Sequence, residues 1–464
     1  MHPSSRMRER SLQMKRAINV NQWLNEGKVN LFHVMTGILS LGVITFDGYN
    51  LFVYAGVLPL VMKELHMTAT QAGAIASYTL LGAALGSLVL GSLGDKIGRK
   101  NALLWYIVLF SVSMFFSGLA RNAILLGVWR FATGLGVGGT LVNVTALVTE
   151  YIPARSRATT VSVIYSGTSI GGIVGALLGI WMFPHYGWRS VLLLGAVPIL
   201  ALPLYVKFLP ESPDYLVKRG RLDELRSYLR KARPADPLPD DVELEVSKRT
   251  GKSPLRAIFE EGRAFSTVLF WIVWFMNVSV LFGFTIWLPK LIMSRGYSLA
   301  TGLSFLLTLS TAAIAGTFLA GFLADRIGTK PTLSAYFLIS FCSVALVGFT
   351  SNYLYLMILV SLAGACINGA QNCMNSYMPT YYPPAMRSTG TGVCYAVSRL
   401  GAVMGPTVVG IMITNNFPYR ATLIGLALPS VVSTVGILAI QEKYSFARRI
   451  EQEPAARQPS VEVA

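Results

Sequence analysis

Three ionisable side chains stand where ionisable side chains are costly. Asp47, Arg130 and Arg399 each fall deep inside a long apolar run. In a bilayer such a group costs about 2.5–3.5 kcal/mol on insertion scales, so each is a candidate for chemistry. A carboxyl that alternates between wet and dry surroundings can bind and release a proton, which suits Asp47. Asn50 and Tyr54 share its helix face, at i+3 and i+7. The alternative for Asp47 is a fixed ion pair with Arg130 that orients the first helix. Arg399, with Tyr395 and Ser398 near it, offers the planar donor fork that matches a carboxylate. Asn368, Gln371, Asn372 and Asn375 form a polar stripe at i, i+3, i+4 and i+7, and must face water, protein or ligand. Trp274, Phe284, Trp287 and Tyr377 lie nearby, and some of them suit membrane-interface anchoring better than a ligand wall. The chain has no Ser/His/Asp set, no paired carboxylates and no metal-ligand spacing, so an enzyme is not expected. Cys342, Cys366, Cys373 and Cys394 lie in apolar stretches and read as small packing residues.

The elements that carry these residues are membrane helices. Of 464 residues, 53% are hydrophobic and only 13% charged, far from a soluble composition. A bilayer core needs about 20 apolar residues per helix. Runs of that kind lie near 31–60, 71–93, 101–120, 124–149, 158–182 and 188–209, then near 264–289, 299–324, 331–350, 352–378, 386–413 and 419–440. The expected fold is an all-α membrane protein of twelve transmembrane helices in two six-helix bundles, 31–209 and 263–440. Residues 1–30, 210–262 and 441–464 are polar and fall outside the bundles. No cleavage-type segment precedes the first run, so no removable signal peptide is expected.

The net charge of +17 reports topology, because the cations sit between runs and at the two ends. Arg6, Arg8, Arg10, Lys15, Arg16, Lys96, Arg99, Lys100 and the 210–262 segment share one side. Lys63, Arg121, Arg189, Lys290, Arg295 and Arg420 share the other, poorer side. The richer side should be cytoplasmic, with both termini there. Its cations would meet anionic lipid head groups, and no nucleic acid is implied. Within the central segment, Leu222, Leu225 and Leu229 form one apolar stripe, and Leu255, Ile258 and Phe259 a second. Short helices lying on the membrane surface are expected there.

One offset, 230 residues, aligns the two halves. Gly91 to Lys100 matches Gly321 to Lys330, including Asp95 with Asp325. Leu51-Phe52 matches Leu281-Phe282, and Leu58-Pro59 matches Leu288-Pro289. Gly134 matches Gly364, and Gly171 and Gly175 match Gly401 and Gly405. Pro153 and Arg157 match Pro383 and Arg387. The glycines suit close helix contact. Asp95 is placed to accept amides of a neighbouring helix, with Arg99 and Lys100 beside it as a gating latch. Glu150 joins Arg155 and Arg157 at the same side. Asp325 and Arg326 form the second latch, which should be weaker because Thr329 replaces the arginine. The three deep charges are not repeated: Asp47 matches Asn277, Arg130 matches Val360, and Arg399 matches Ser169. Shared residues build a scaffold, and private ones mark a site between the bundles.

The repeated Asp95 and Asp325 loops and the two-half design resemble the major facilitator superfamily, whose halves rock about a central site. Asp47-Gly48-Tyr49-Asn50 resembles the Asp-Gly-x-Asp signature of the aromatic acid:proton symporters. Arg130 opening a glycine-rich helix and Arg399 match that family's functional arginines. Leu209-Pro210-Glu211-Ser212-Pro213 is shared with it and with sugar and organic-ion carriers. The resemblance implies uptake of a benzoate-like acid with a proton across the plasma (inner) membrane, by a monomer without a cofactor. Asp47 would take the proton and Arg399 the carboxylate. Asn50 departs from the signature by removing one titratable group, which leaves substrate and stoichiometry open. An exporter, a carrier of a nicotinate-like, dicarboxylate, sugar or drug molecule, and a transport-like sensor are the alternatives.

Overall fold

The computed structural model describes residues 17–234, 242–245, 255–383 and 386–446. The basic residues before Ala17 and the tail after Phe446 lie outside them. The first six apolar segments become α1 (Leu31–Glu64), α2 (Ala69–Ile97), α3 (Arg99–Gly118), α4 (Ala123–Tyr151), α5 (Ala154–Leu194) and α6 (Val197–Phe208). The second six become α7 (Ala264–Met293), α8 (Leu299–Ile327), α9 (Thr329–Val347), α10 (Tyr353–Tyr381), α11 (Arg387–Thr414) and α12 (Tyr419–Ala439). Eleven of these are long and apolar enough to span a bilayer, and α6 is the shorter twelfth. α5 breaks at Gly187, whose φ of 71° and ψ of 176° are not helical. The stretch beyond it continues into α6, which supplies the twelfth apolar segment.

Local chemistry sets the ends. Asn30 caps α1 in a reciprocal capping box with His33, and Thr68 caps α2 with Gln71. Asn122, Ser298 and Asn352 cap α4, α8 and α10. Gly98 and Gly328 make equivalent sharp corners after α2 and α8, at φ 96° and 91°, a region open to glycine.

The 230-residue repeat is visible in the packing. A Cβ on Gly171 would lie 2.1 Å from the Thr45 carbonyl oxygen, and one on Gly401 would lie 2.2 Å from that of Phe275. Thr45 and Phe275 are themselves 230 apart, so α5 meets α1 as α11 meets α7. Tyr151 donates to the Glu211 carbonyl at 2.5 Å, and Tyr381 to that of Gln441 at 3.1 Å, again at the same offset.

The halves meet at the ends far from Gly98 and Gly328. There α2 packs on α11, α5 on α8 and α1 on α7. Thr70 bonds Thr414 at 2.8 Å, Ser77 bonds Thr407 at 2.7 Å, and Phe52 stacks on Phe282. Toward the Gly98 and Gly328 end, Tyr165 of α5 and Asn372 and Tyr395 of α10 and α11 are exposed. The molecule is therefore closed at one face and open at the face bearing the basic loops.

Short elements cover that open face. β1 (Ala17–Asn19) pairs in parallel with β2 (Glu243–Glu245). The helix Leu222–Ala232 buries Leu225 and Leu229 completely. Its stripe packs into the apolar core of the first half with Trp23, Leu209 and Leu216. Leu225 and Leu229 of the stripe thus find protein, while Leu222 stays exposed. Arg233 holds the arrangement by donating to the Trp23 carbonyl at 2.6 Å, and Asn30 donates to those of Lys231 and Ala232.

Candidate functional site

The deep charges separate into two places. Asp47, Asn50 and Tyr54 descend one face of α1 into the interior of the first half. Asp47 is 3% exposed, and neither carboxylate oxygen has a hydrogen-bond partner. Asn50 is fully buried, and its amide also finds none. Arg130 of α4 lies over the Tyr54 ring at 5.1 Å and donates to Met114 Sδ of α3 at 3.4 Å. Its Nε is buried without a partner. Tyr54 itself donates to the Ala72 carbonyl of α2 at 3.1 Å.

Two sequence-based expectations change here. Asp47 and Arg130 form no ion pair, because Arg130 sits at the level of Tyr54, about two turns along α1 from Asp47. Their recorded surroundings all belong to the first half, so this cluster is not at the interface of the bundles. Asp47 keeps an unpaired carboxyl in a dry interior, a placement that costs free energy while it is ionised.

Arg399 belongs to the second place, the cavity between the halves. Tyr165 of α5 stands at a similar depth in the first half. Arg399 lies 12 residues into α11 from Arg387, and Tyr165 lies 11 into α5 from Ala154. At 1.5 Å per residue both stand about 16–18 Å from the open face, near mid-membrane depth. Around Arg399 the second half supplies a neutral network. Asn277 of α7 donates to Gln371 at 2.8 Å, Tyr395 donates to Asn375 at 2.7 Å, and Asn372 donates to Thr317 of α8 at 3.0 Å. Asn368 turns back onto the Gly364 carbonyl of its own helix. Trp274 meets the Tyr395 ring edge-on at 5.1 Å. The expected polar stripe is thus largely satisfied by protein partners on α7, α8 and α11.

Tyr165 and Thr145 were not singled out from sequence. Their hydroxyls lie 2.9 Å apart. The signal that could have found them is the repeat, since Tyr165 is the mate of Tyr395 and Thr145 of Asn375.

At the open face of the first half, Arg99 is buried and pairs with Glu150 at 2.9 Å and with Asp95 at 3.4 Å. Asp95 was expected to accept helix amides. Glu211 does so instead, taking Lys100 N at 3.1 Å and Ser212 N at 2.8 Å on one oxygen. The reason is reach: Asp95 is mostly exposed beside Arg99, whereas Glu211 is 2% exposed beneath the first turn of α3. Arg157 donates to Asn25 and to the Ile152 carbonyl. In the second half Asp325 and Arg326 are exposed, and Arg326 stacks on Phe322 at 4.4 Å. Arg387 opens α11 with its Nε buried. The mates of Arg99, Glu150 and Glu211 are Thr329, Thr380 and Gln441, so the second latch lacks counterparts of the Arg99–Glu150 pair and of the Glu211 cap.

Comparison with known proteins agrees with this architecture. The Major Facilitator Superfamily model matches residues 40–316 and 300–463. The chain is 35% identical to the benzoate transport protein of Acinetobacter baylyi, over 93% of this chain and 95% of that one. It is 30% identical to the gallate transporter of Pseudomonas putida, over 91% and 95%. Among solved structures, the xylose transporter XylE from E. coli superposes with a TM-score of 0.70 at 15% identity, over 88% of this chain and 98% of that one.

Proposed function

The chain belongs to the Major Facilitator Superfamily, and from that premise we propose that it imports a small aromatic carboxylate together with a proton. It is a transporter, not an enzyme. The observation that carries the finer reading is the division of charge. A lone arginine, Arg399, faces the cavity amid neutral hydrogen-bonding groups, while a lone carboxyl, Asp47, is buried without a partner inside the first half. The cavity therefore favours one negative charge on its cargo, and Asp47 offers a place for one proton. Relatives at 35% and 30% identity that are a benzoate transport protein and a gallate transporter support an aromatic acid as cargo. The polar residues flanking Asp47 are Asn50 and Tyr54, so no second carboxyl joins it.

In this reading the halves rock between the state seen here and one open at the opposite face. The basic loops, Lys96, Arg99, Lys100 and Arg326 among them, lie on the cytoplasmic side of the plasma (inner) membrane against anionic lipid, with both termini on that side. The state described is then open to the cytoplasm. The carrier works as a monomer and needs no cofactor, the proton being its coupling ion.

The test is uptake into proteoliposomes under an imposed pH step. One proton carried with a monovalent acid gives about tenfold accumulation per pH unit. Asp47→Asn should lose this accumulation and keep exchange of labelled for unlabelled substrate. Gradient-driven accumulation equal to wild type in Asp47→Asn would remove Asp47 from the mechanism.

A further inference from the structure

α1 and α2 open with the same device built from different residues. At the closed face, Thr68 N–H donates to Gln71 Oε1 at 3.0 Å, and Thr68 Oγ1 accepts from Gln71 N at 3.2 Å. At the open face, Asn30 N–H donates to His33 Nδ1 at 3.2 Å, and Asn30 Oδ1 accepts from Phe32 N and His33 N. Glutamine or glutamate is the usual third residue of such a box. The box at the open face carries a residue that titrates near neutrality instead. A backbone amide can only donate, so Nδ1 must be the acceptor, and the neutral ring carries its proton on Nε2.

Asn30 also reaches outward. Its Nδ2 donates to the Lys231 and Ala232 carbonyls at 2.8 and 3.0 Å. These end the covering helix Leu222–Ala232 and have no partner within it. One side chain thus caps α1 at its start and the covering helix at its end, and His33 holds the backbone of that residue. The ring is 2% exposed. A second proton must go to Nδ1, where it opposes the Asn30 amide and puts a charge in a site buried from water. The titratable neighbours lie on four sides. Tyr151 of α4 and Tyr228 of the covering helix both meet the Phe32 ring. Glu224 and Lys231 stand beside Tyr228, the Glu211 carbonyl accepts from Tyr151, and Arg157 of α5 is held on Asn25. The mate of His33 is Arg263, which pairs with Glu261 at 2.8 Å, so the device belongs to the first half alone.

We propose that His33 and Asn30 form a pH-sensitive latch: the neutral ring holds Asn30 and the Leu222–Ala232 helix against α1, and protonation of the ring releases them. Once released, the ring meets water and titrates near pH 6.5. Release is therefore favoured as pH falls below that value, and the latch is closed above it. From about pH 7 to about pH 5.5 the released population rises about eightfold. On the reading of the protein as a proton-coupled importer, the open face receives the proton, so the latch answers to the product of transport.

The experiment is hydrogen–deuterium exchange of the full-length protein in nanodiscs, read by mass spectrometry over residues 222–232. Rates at about pH 7 and about pH 5.5 are each divided by the intrinsic rate at that pH. Wild type should lose about eightfold in protection. His33→Gln keeps an acceptor for Asn30 N–H, as Gln71 does for Thr68, and does not titrate. Its protection should match wild type at the higher pH and stay there at the lower. His33→Ala lacks the acceptor and should be poorly protected at both. Protection in wild type that is the same at both pH values overturns the latch. An equal loss in His33→Gln also overturns it and assigns the response to a neighbour such as Glu211 or Glu224. Protection in His33→Ala equal to wild type at the higher pH removes His33 from the hold on the covering helix. Each of these failures leaves the carrier reading intact, because that reading is tested by uptake.

Discussion

Glu211 provides a measurement with an internal control. One of its oxygens accepts the amides of Lys100 and Ser212 at 3.1 and 2.8 Å, and the residue is 2% exposed. Hydrogen bonds to an ionised group are worth about 1.5–3 kcal/mol each, against about 0.5–1.5 for neutral ones. Glu211→Gln can keep its carbonyl oxygen at the accepting position and lose only the charge, a cost of about 2–3 kcal/mol. Glu211→Ala orphans the Lys100 amide at the start of α3 and the Ser212 amide beside it, a cost of about 4 kcal/mol. For a half of this size each kcal/mol moves a thermal midpoint by about 2–4 °C, so Glu211→Ala should lower it by on the order of 10 °C. The mate, Gln441, has an exposed side chain, and Gln441→Ala should move the midpoint by an amount close to nothing. The assay is thermal unfolding of the three variants in detergent, followed by intrinsic tryptophan fluorescence. If Gln441→Ala matches Glu211→Ala, or if Glu211→Gln costs as much as Glu211→Ala, the account of Glu211 as a charged cap on α3 is refuted.

The remaining predictions concern packing and charge. Gly171→Ala should destabilise by about 1–3 kcal/mol, because its Cβ would meet the Thr45 carbonyl at 2.1 Å and force α5 from α1. Gly321→Ala, with open space around it, should leave the midpoint unchanged or raise it slightly; equal losses in the two would contradict the packing reading. Arg399→Lys keeps the charge and loses the fork, so it should weaken anionic substrates by about tenfold in KM while sparing a neutral amide analogue. Equal weakening of acid and amide would dismiss Arg399 as the carboxylate partner. Asp325→Asn should leave the thermal midpoint within error, whereas Arg99→Gln, which removes a buried guanidinium from between Glu150 and Asp95, should lower it by several degrees.

The fold was legible because membrane helices state their length and the repeat states their arrangement. The offset that aligned Gly171 with Gly401 in sequence reappears as two helix contacts of the same geometry. What sequence missed followed from distance along the chain. Glu211 lies 111 residues from Lys100, and no local pattern tells which carboxylate will reach the α3 amides; Asp95 was the nearer candidate. Leu225 and Leu229 show the same limit, since an apolar stripe beside a membrane protein can be satisfied by lipid or by protein, and amphipathicity is the same in both cases. Tyr165 was hidden for a different reason. A tyrosine in an apolar run reads as an anchor, and only its mate on α11 reveals it as part of a lining.

The private charges then deserve a different interpretation from the one their privacy first suggests. Being unrepeated did mark Asp47, Arg130 and Arg399 as special, but it did not place them together. Arg399 took the cavity, and the other two went inside one bundle, where the neutral Asn50 stands between a carboxyl and a guanidinium that do not pair. On the proposed reading, a proton on Asp47 would not act by touching the cargo. It changes the charge of the α1 interior, against which α5 is packed through Thr45 and Gly171, and α5 is the helix that carries Tyr165 to the cavity and meets α8 at the closed face. Coupling in such a molecule must pass through a shift of packed helices, since a direct electrostatic contact between Asp47 and the substrate at Arg399 would need both in one cavity. On the proposed reading, the close, glycine-bearing seam between α1 and α5 would carry that shift, and Gly171→Ala would disturb coupling as well as stability.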